Sequence, residues 1–359
     1  MSKFYPLTVS SVRHETRDSV VLTLDVPPEH KEAFRFQQGQ YLTFRTKIDG
    51  EEVRRSYSIC AAVQDPHLRV GIKKVADGRF STWANEQIAV GDLLEVMPPM
   101  GSFFVPLDPA NEKHYVAFAG GSGITPVLGI VKTTLLTEPN SSFTLFYGNR
   151  ASSTIMFREE LEDIKNNNLG RFQLVHILER EKQDVDLFNG ILNREKCELL
   201  LKYWVNVSDI DTAFICGPEA MMLQVSEALQ AAGLDKRQIK FELFATPSQG
   251  PKGIRKVQTA AVSNMENACQ ATIVIDGRAR TIDMQKGTKT ILDAALGEGL
   301  ELPYACKGGV CSTCRALLSE GEVDMDANFA LEDYEIQRGY ILTCQSYPVT
   351  DKILVDFDQ

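Results

Sequence analysis

Hydrophobic and polar positions change their rhythm twice along the chain. Up to about residue 107, apolar residues come in short runs (VVLTLDV, QYLTFRTKI, RRSYSICAAV, HLRVGIKKV), rich in β-branched and aromatic side chains and separated by Asp, Pro and Gly. Such runs at close spacing predict strands of a small antiparallel β-barrel. From about 112 to 245, strand-like and helix-like segments alternate: HYVAFAGG then TPVLGIVKTTLL, SFTLFYGN then FREELEDIKNN, FQLVHIL, then DTAFICG and PEAMMLQVSEALQAAG. That grammar predicts an α/β domain with a parallel sheet. Residues 248–267, rich in Gly, Ser, Gln, Asn and basic side chains without an apolar period, read as a linker. Beyond it, ATIVIDGRARTIDM places two β-like runs around Asp276-Gly277, a hairpin signal. The expected organisation is a barrel domain at 1–108, an α/β domain at 109–247, the linker at 248–267 and an α+β domain at 268–359.

Composition adds exclusions. With 359 residues, 43% hydrophobic and 24% charged, the chain is globular and large enough for more than one core. A net charge of −10 repels nucleic acid and anionic membrane surfaces, so neither is an expected partner. Residues 266–359 carry 16 acidic and 8 basic side chains, which concentrates the acidity at the C-terminus. Met1–Val12 has no secretory pattern, and Gly-Gly-Ser-Gly and Thr-Pro interrupt the uncharged run His114–Val131, so no membrane span is read and the cytoplasm is the expected location.

Of eight cysteines, Cys60, Cys197, Cys216 and Cys269 are scattered, whereas Cys306, Cys311, Cys314 and Cys344 form a spaced set. C-x4-C-x2-C with a fourth cysteine thirty residues on is the plant-type spacing for a [2Fe-2S] cluster. Gly308 and Gly309 suit a tight loop that aims N–H groups at sulfur. A structural zinc site is the alternative, although zinc ribbons usually offer two C-x2-C pairs. The stretch LPYACKGGVCSTC, preceded by TILDAALGEGLELP, resembles plant-type ferredoxins, which implies a β-grasp fold for this domain.

In the barrel, Arg55 and Tyr57 alternate along one predicted strand, offering a guanidinium for phosphate and a ring for stacking on a flat cofactor. Downstream, Gly78 to Thr82 can present small residues and backbone N–H groups to a diphosphate. In the α/β region, Ala119-Gly120-Gly121-Ser122-Gly123-Ile124-Thr125-Pro126 joins a strand to a helix start, where a pyrophosphate can approach the backbone. Tyr147-Gly148-Asn149-Arg150 and Cys216-Gly217-Pro218-Glu219 stand at the ends of later strands, the position where α/β sheets bind nucleotides. Arg150 is placed to meet a 2′-phosphate and select NADPH, with Arg158 as a second candidate and a solvated loop arginine as the alternative. His114 and His176 sit in apolar strands and read as packed.

These motifs make the first 245 residues resemble the ferredoxin-NADP reductase superfamily, in which R-x-Y-[ST] and a later G-x-x-S bind FAD. The resemblance implies Arg55 on the flavin phosphates, Tyr57 against the flavin ring and Ser58 near its reactive nitrogen. It also implies Gly78, Phe80, Ser81 and Thr82 at the diphosphate. Gly120, Gly121, Gly123, Thr125, Asn149, Arg150, Cys216, Gly217 and Pro218 then bind NADPH. Phe244, in FELF, stands where many members carry a flavin-shielding aromatic, and Ser58, Cys216 and Glu242 would tune hydride transfer.

The order of flavin barrel, nicotinamide domain and C-terminal ferredoxin resembles oxygenase reductases, most of all those serving phenylacetyl-CoA epoxidation, through YGNR, MFREELEDIKN and CGPEAM. It implies that electrons pass from NADPH through FAD and the [2Fe-2S] cluster to an oxygenase or epoxidase component. The reductase of another oxygenase, such as a steroid hydroxylase system, is the first alternative. A simple flavin reductase with a non-catalytic metal-binding C-terminal module is the second. The acidic run Glu320, Glu322, Asp324, Asp326, Glu332, Asp333 and Glu335, between the third and fourth cluster cysteines, is an expected docking face unless it serves solubility alone.

Overall fold

The computed structural model describes residues 3–244 and 267–359; the linker expected at 248–267 lies, except for Asn267, outside the described residues. Tyr5–Val53 and Tyr57–Phe244 belong to one compact unit, and the C-terminal residues to a second.

The first unit begins with β1 (Tyr5–Thr16), β2 (Ser19–Asp25), β3 (Tyr41–Ile48), β4 (Glu51–Ser58), β5 (Leu68–Lys73) and β6 (Leu93–Val96), in the sheet order β4-β3-β6-β1-β2-β5. The two edges meet where Ile59 bridges Val70 and the Cys60 N–H donates to the Arg69 carbonyl at 2.9 Å, closing the expected barrel around Leu7, Leu22, Phe44 and Val96. The longest strand, β1, stood outside the expected runs because its alternation is broken twice, between Val9 and Ser11 and between His14 and Thr16. The segment after Gly78 is a helix, α1 (Arg79–Glu86).

A parallel sheet follows, made of β7 (His114–Gly120), β8 (Ser142–Asn149), β9 (Phe172–Leu178), β10 (Thr212–Gly217) and β11 (Ile239–Leu243) in the order β11-β10-β7-β8-β9. Its helices are α2 (Ile124–Thr137), α3 (Arg158–Asn167), α4 (Arg194–Tyr203) and α5 (Glu219–Ala231). Strands β7 and β10 are buried almost throughout, which is why they read as continuous apolar runs. The order reverses between β7 and β10, so their carboxyl ends form the crevice where such sheets bind ligands.

The second unit holds β12 (Ala268–Ile275), β13 (Arg278–Gln285), α6 (Ile291–Gly297), β14 (Arg315–Glu320), β15 (Val323–Met325), α7 (Asp333–Gln337), β16 (Tyr340–Leu342), β17 (Ser346–Pro348) and β18 (Lys352–Asp356). The main sheet runs β13-β12-β18-β14-β16, with β15 and β17 paired separately. Asp276 and Gly277 both have positive φ, 55° and 69°, the conformation of the hairpin turn their sequence predicts. Thr290 caps α6 by accepting the Asp293 N–H at 3.1 Å. Among the described residues no helix is long and apolar enough to cross a membrane.

Candidate functional site

The carboxyl end of β10 is packed backbone against backbone. A Cβ on Gly123 would lie 2.1 Å from the Cys216 carbonyl oxygen, so only glycine lets the start of α2 sit on that strand. Gly121 has φ of 52°, and its carbonyl accepts the hydroxyl of the fully buried Tyr147 at 3.0 Å. Thr125 Oγ1 donates to the Ser122 carbonyl at 3.0 Å, so side chains on both sides fix the turn. Gly120 and Gly217 stand closely enough that a Cβ on Gly217 would meet the Gly120 N at 3.0 Å, and Pro218 then turns the chain into α5.

Cys216 and Glu242 are neighbours in the register of β10 and β11, and Ser58, at the end of β4, reaches them from the barrel. Its Oγ donates to Glu242 Oε2 at 3.0 Å across 184 residues of sequence. Burial pushes the Glu242 carboxyl up to about 8 against the lowering bond from Ser58, so it holds its proton at neutral pH. Burial, with a smaller contribution from Glu242, likewise keeps the Cys216 thiol protonated. Three candidates from distant segments thus form one uncharged patch, in which Ser58 and Glu242 are hydrogen-bonded. Phe244, just beyond the end of β11, packs against the core of the parallel sheet.

On β8, Asn149 is 8% exposed and its side-chain amide lies beside the Tyr147 hydroxyl. A buried amide at the carboxyl end of β8 stands where parallel sheets of this kind bind nucleotides. Arg150 and Arg158 are both exposed. His114 bonds Thr144 at 3.0 Å, while His176 lies 5.8 Å from the Tyr147 ring; burial lowers the pKa of both, as expected for packed histidines.

In the barrel, Tyr57 packs on Phe80 at 5.4 Å between ring centroids, and Phe80 is itself core. Ser81 is also turned inward: its hydroxyl bonds the Val75 N–H and the Gly78 carbonyl, leaving the backbone to offer donors. No side chain caps α1, and its first turn (Gly78, Arg79, Thr82, Trp83) opens on a cavity of about 380 Å³ that Lys47 and Asp49 also line. An uncapped helix start on a cavity suits a diphosphate. Arg55 is exposed, its Nη1 donating to the Arg54 carbonyl at 2.7 Å.

The four spaced cysteines converge. Their thiols fall into two hydrogen-bonded pairs, Cys306 with Cys311 and Cys314 with Cys344, where a two-iron cluster needs two sulfurs per iron. The Cys311 thiol and the amides of Gly308, Val310 and Cys311 draw the Cys306 thiol downward in pKa, which favours the thiolate a metal takes. Gln345 Nε2 ties the loop to the returning segment by donating to the Lys307 and Cys344 carbonyls, both at 2.9 Å.

The acidic face differs from expectation at one residue. Glu320, Glu322, Asp324, Asp326 and Asp333 are exposed and Glu332 partly so, but Glu335 is 4% exposed, pairs with Arg315 and accepts the Glu332 N–H at 3.0 Å. It is a helix cap. What the sequence did not signal at all is an ion cluster of Asp65, Arg69, Lys132 and Glu160, whose members lie up to 95 residues apart and join the barrel to the parallel sheet.

Comparison with known proteins gives the same three parts. Residues 6–105 match the oxidoreductase FAD-binding domain family, 118–227 the oxidoreductase NAD-binding domain family and 273–349 the 2Fe-2S iron-sulfur cluster binding domain family. The chain is 44% identical over 358 residues to one of the subunits of the Escherichia coli 1,2-phenylacetyl-CoA epoxidase, covering 100% of this chain and 99% of the other. It is 31% identical to the ferredoxin reductase component of the Rhodococcus rhodochrous 3-ketosteroid-9-alpha-monooxygenase, covering 98% and 96%. The structure of phthalate dioxygenase reductase shares the fold, with a TM-score of 0.59, 23% identity and coverage of 99% and 98%.

Proposed function

We propose that this chain, which belongs to the family of oxygenase reductases built from FAD-binding, NAD-binding and 2Fe-2S domains, carries electrons from NADPH to the oxygenase of a phenylacetyl-CoA epoxidase. The observation that carries the reading is the meeting of Ser58 from the barrel with Glu242 and Cys216 from the parallel sheet, beside the glycine turn. When bound, the flavin takes up the two electrons of a hydride and the cluster passes them on singly.

The chain's own residues provide position and charge. Ser58 holds the Glu242 carboxyl, and the protonated Glu242 and Cys216 leave a neutral wall for the nicotinamide ring. Gly120, Gly121, Gly123 and Thr125, with Gly217 and Pro218, admit its pyrophosphate to the backbone, Asn149 Nδ2 donates to the nucleotide and Arg150 meets the 2′-phosphate. Arg55 binds the flavin phosphates, Tyr57 and Phe244 cover its ring, and Gly78 to Thr82 cradle its diphosphate at the start of α1. Cys306, Cys311, Cys314 and Cys344 hold the cluster. The working boundaries are FAD domain 1–108, nicotinamide domain 109–247, linker 248–267 and ferredoxin domain 268–359, in a cytoplasmic protein.

The test is to purify the chain with FAD and iron, compare NADPH with NADH, and measure nicotinamide oxidation coupled to phenylacetyl-CoA turnover by an epoxidase oxygenase. Coupled turnover with NADPH supports the reading, and uncoupled oxidation with every such oxygenase overturns it. The 31% identity to the ketosteroid system's reductase makes a steroid hydroxylase the second acceptor to try.

A further inference from the structure

The barrel and the parallel sheet contribute separate halves of the proposed hydride site, so something must fix one against the other. Two carboxylate contacts lie across that boundary. Arg69 of β5 donates through Nη2 to Glu160 Oε1 of α3 at 2.7 Å and through Nη1 to Oε2 at 3.3 Å. Lys132 of α2 donates to the same Glu160 oxygen at 2.9 Å and to Asp65 Oδ2, on the barrel side, at 2.5 Å. Charges alternate around this cluster, and each member is at most 23% exposed. Burial pushes the Glu160 carboxyl up in pKa, but Arg69 and Lys132 more than reverse it and keep it ionised.

The second contact runs the other way. Glu15 of β1, 8% exposed, accepts the backbone N–H of Phe157 at 2.8 Å. Phe157 is fully buried and holds a left-handed φ of 57°, a conformation a bulky residue adopts only when its surroundings dictate it. Its ring packs at Gly71 beside Thr125 of the glycine turn; a Cβ at Gly71 would come within 2.8 Å of Thr125 Cγ2 and 3.0 Å of Phe157 Cζ.

Both contacts lead into the site. The Arg69 carbonyl accepts the Cys60 N–H, two residues beyond Ser58. Glu160 and Phe157 flank Arg158 at the first turn of α3.

We propose that the Arg69–Glu160–Lys132–Asp65 cluster, with the Glu15 bond to Phe157, is an interdomain latch whose members are positioning residues, setting the nicotinamide half at transfer distance from the flavin half. It rests on the hydride-transfer reading above. The phosphate-binding turns of each cofactor lie within one domain, so affinity depends little on the latch; bringing the reacting atoms together depends on it. A misplacement of about 1 Å costs on the order of a hundredfold in rate.

The test uses the full-length holoprotein with two variants. Removing one charge would strand its partner, so Arg69 and Glu160 are both replaced by Met, which leaves Lys132 paired with Asp65; the second variant is Glu15→Ala, which takes away the acceptor of the Phe157 N–H. Stopped-flow flavin reduction over a range of NADPH concentrations separates limiting rate from affinity, and hydrogen exchange of the peptide containing Phe157 reads the latch without turnover. The expected result is faster exchange, a limiting rate reduced at least tenfold for the double variant, and NADPH affinity and FAD content within twofold of the parent. A limiting rate within twofold of the parent, unchanged exchange, or an affinity loss that accounts for the rate loss would each overturn the latch. Absence of flavin reduction in the parent itself would overturn the functional reading and the latch with it.

Discussion

Replacing Glu242 by Gln should make stability insensitive to pH where the parent loses it. In the parent the carboxyl rises from 4.5 to about 8, mainly through burial. Below about pH 4.5 the group is protonated in both folded and unfolded chains and contributes nothing. Above that the unfolded chain ionises while the folded one does not, so stability falls as pH rises and the loss is complete above about pH 8. At 1.36 kcal/mol per unit, a shift of this size on a partly screened group corresponds to about 3–5 kcal/mol. Gln keeps an acceptor for Ser58 and is neutral at every pH, so the variant should gain most of that difference over its parent between pH 5 and pH 9. Urea unfolding at saturating FAD, followed by tryptophan fluorescence, measures it, because both tryptophans, Trp83 and Trp204, lie in the unit that contains Glu242. An identical variant-minus-parent difference at pH 5 and pH 9 would refute the assignment of a desolvated, protonated carboxyl.

Four further outcomes are expected. Cys311→Ser should leave flavin reduction by NADPH largely intact and abolish transfer to a one-electron acceptor that depends on the cluster, as stopped-flow absorbance will show. Arg150→Ala should weaken NADPH binding roughly ten- to a hundredfold, about 1.5–3 kcal/mol for a charged contact, with NADH titrations nearly unchanged. Gly123→Ala, whose new methyl would sit 2.1 Å from the Cys216 carbonyl oxygen, should cost nucleotide binding and thermal stability together, measured by calorimetry. Neutralising the exposed Glu322, Asp324 and Asp326, while sparing the buried Glu335, should slow association with the oxygenase and flatten its salt dependence; an unchanged salt slope assigns that acidity to solubility.

Much of this protein is legible without coordinates because its signals are local. The four spaced cysteines and their glycines lie in one loop plus one returning residue, and the Asp276-Gly277 hairpin declares itself because a two-residue turn with positive φ selects those residue types. The continuous apolar runs of β7 and β10 and the glycine turn after β7 likewise mark a parallel sheet with a nucleotide crevice. Strand β1 was harder to read because bulges disturb its alternation, and the acidic run looked uniform because sequence does not show that Glu335 folds back to cap its own helix.

Tertiary structure decided the rest, and it did so wherever a property depends on what lies across a gap in sequence. Glu242 is an ordinary glutamate until β11 sets it half-buried beside Cys216 and the barrel brings Ser58 to it. Burial then alters its protonation, which no neighbour in sequence could do. Arg69 and Glu160 are likewise unremarkable surface-type residues on an isolated strand and helix, and they become a half-buried pair only when barrel and parallel sheet close on each other. Local sequence chooses elements and loop chemistry because those follow from steric and hydrogen-bonding preferences of adjacent residues. Desolvation and charge pairing are set by whatever the fold packs against a group, and that is determined only by the closed structure.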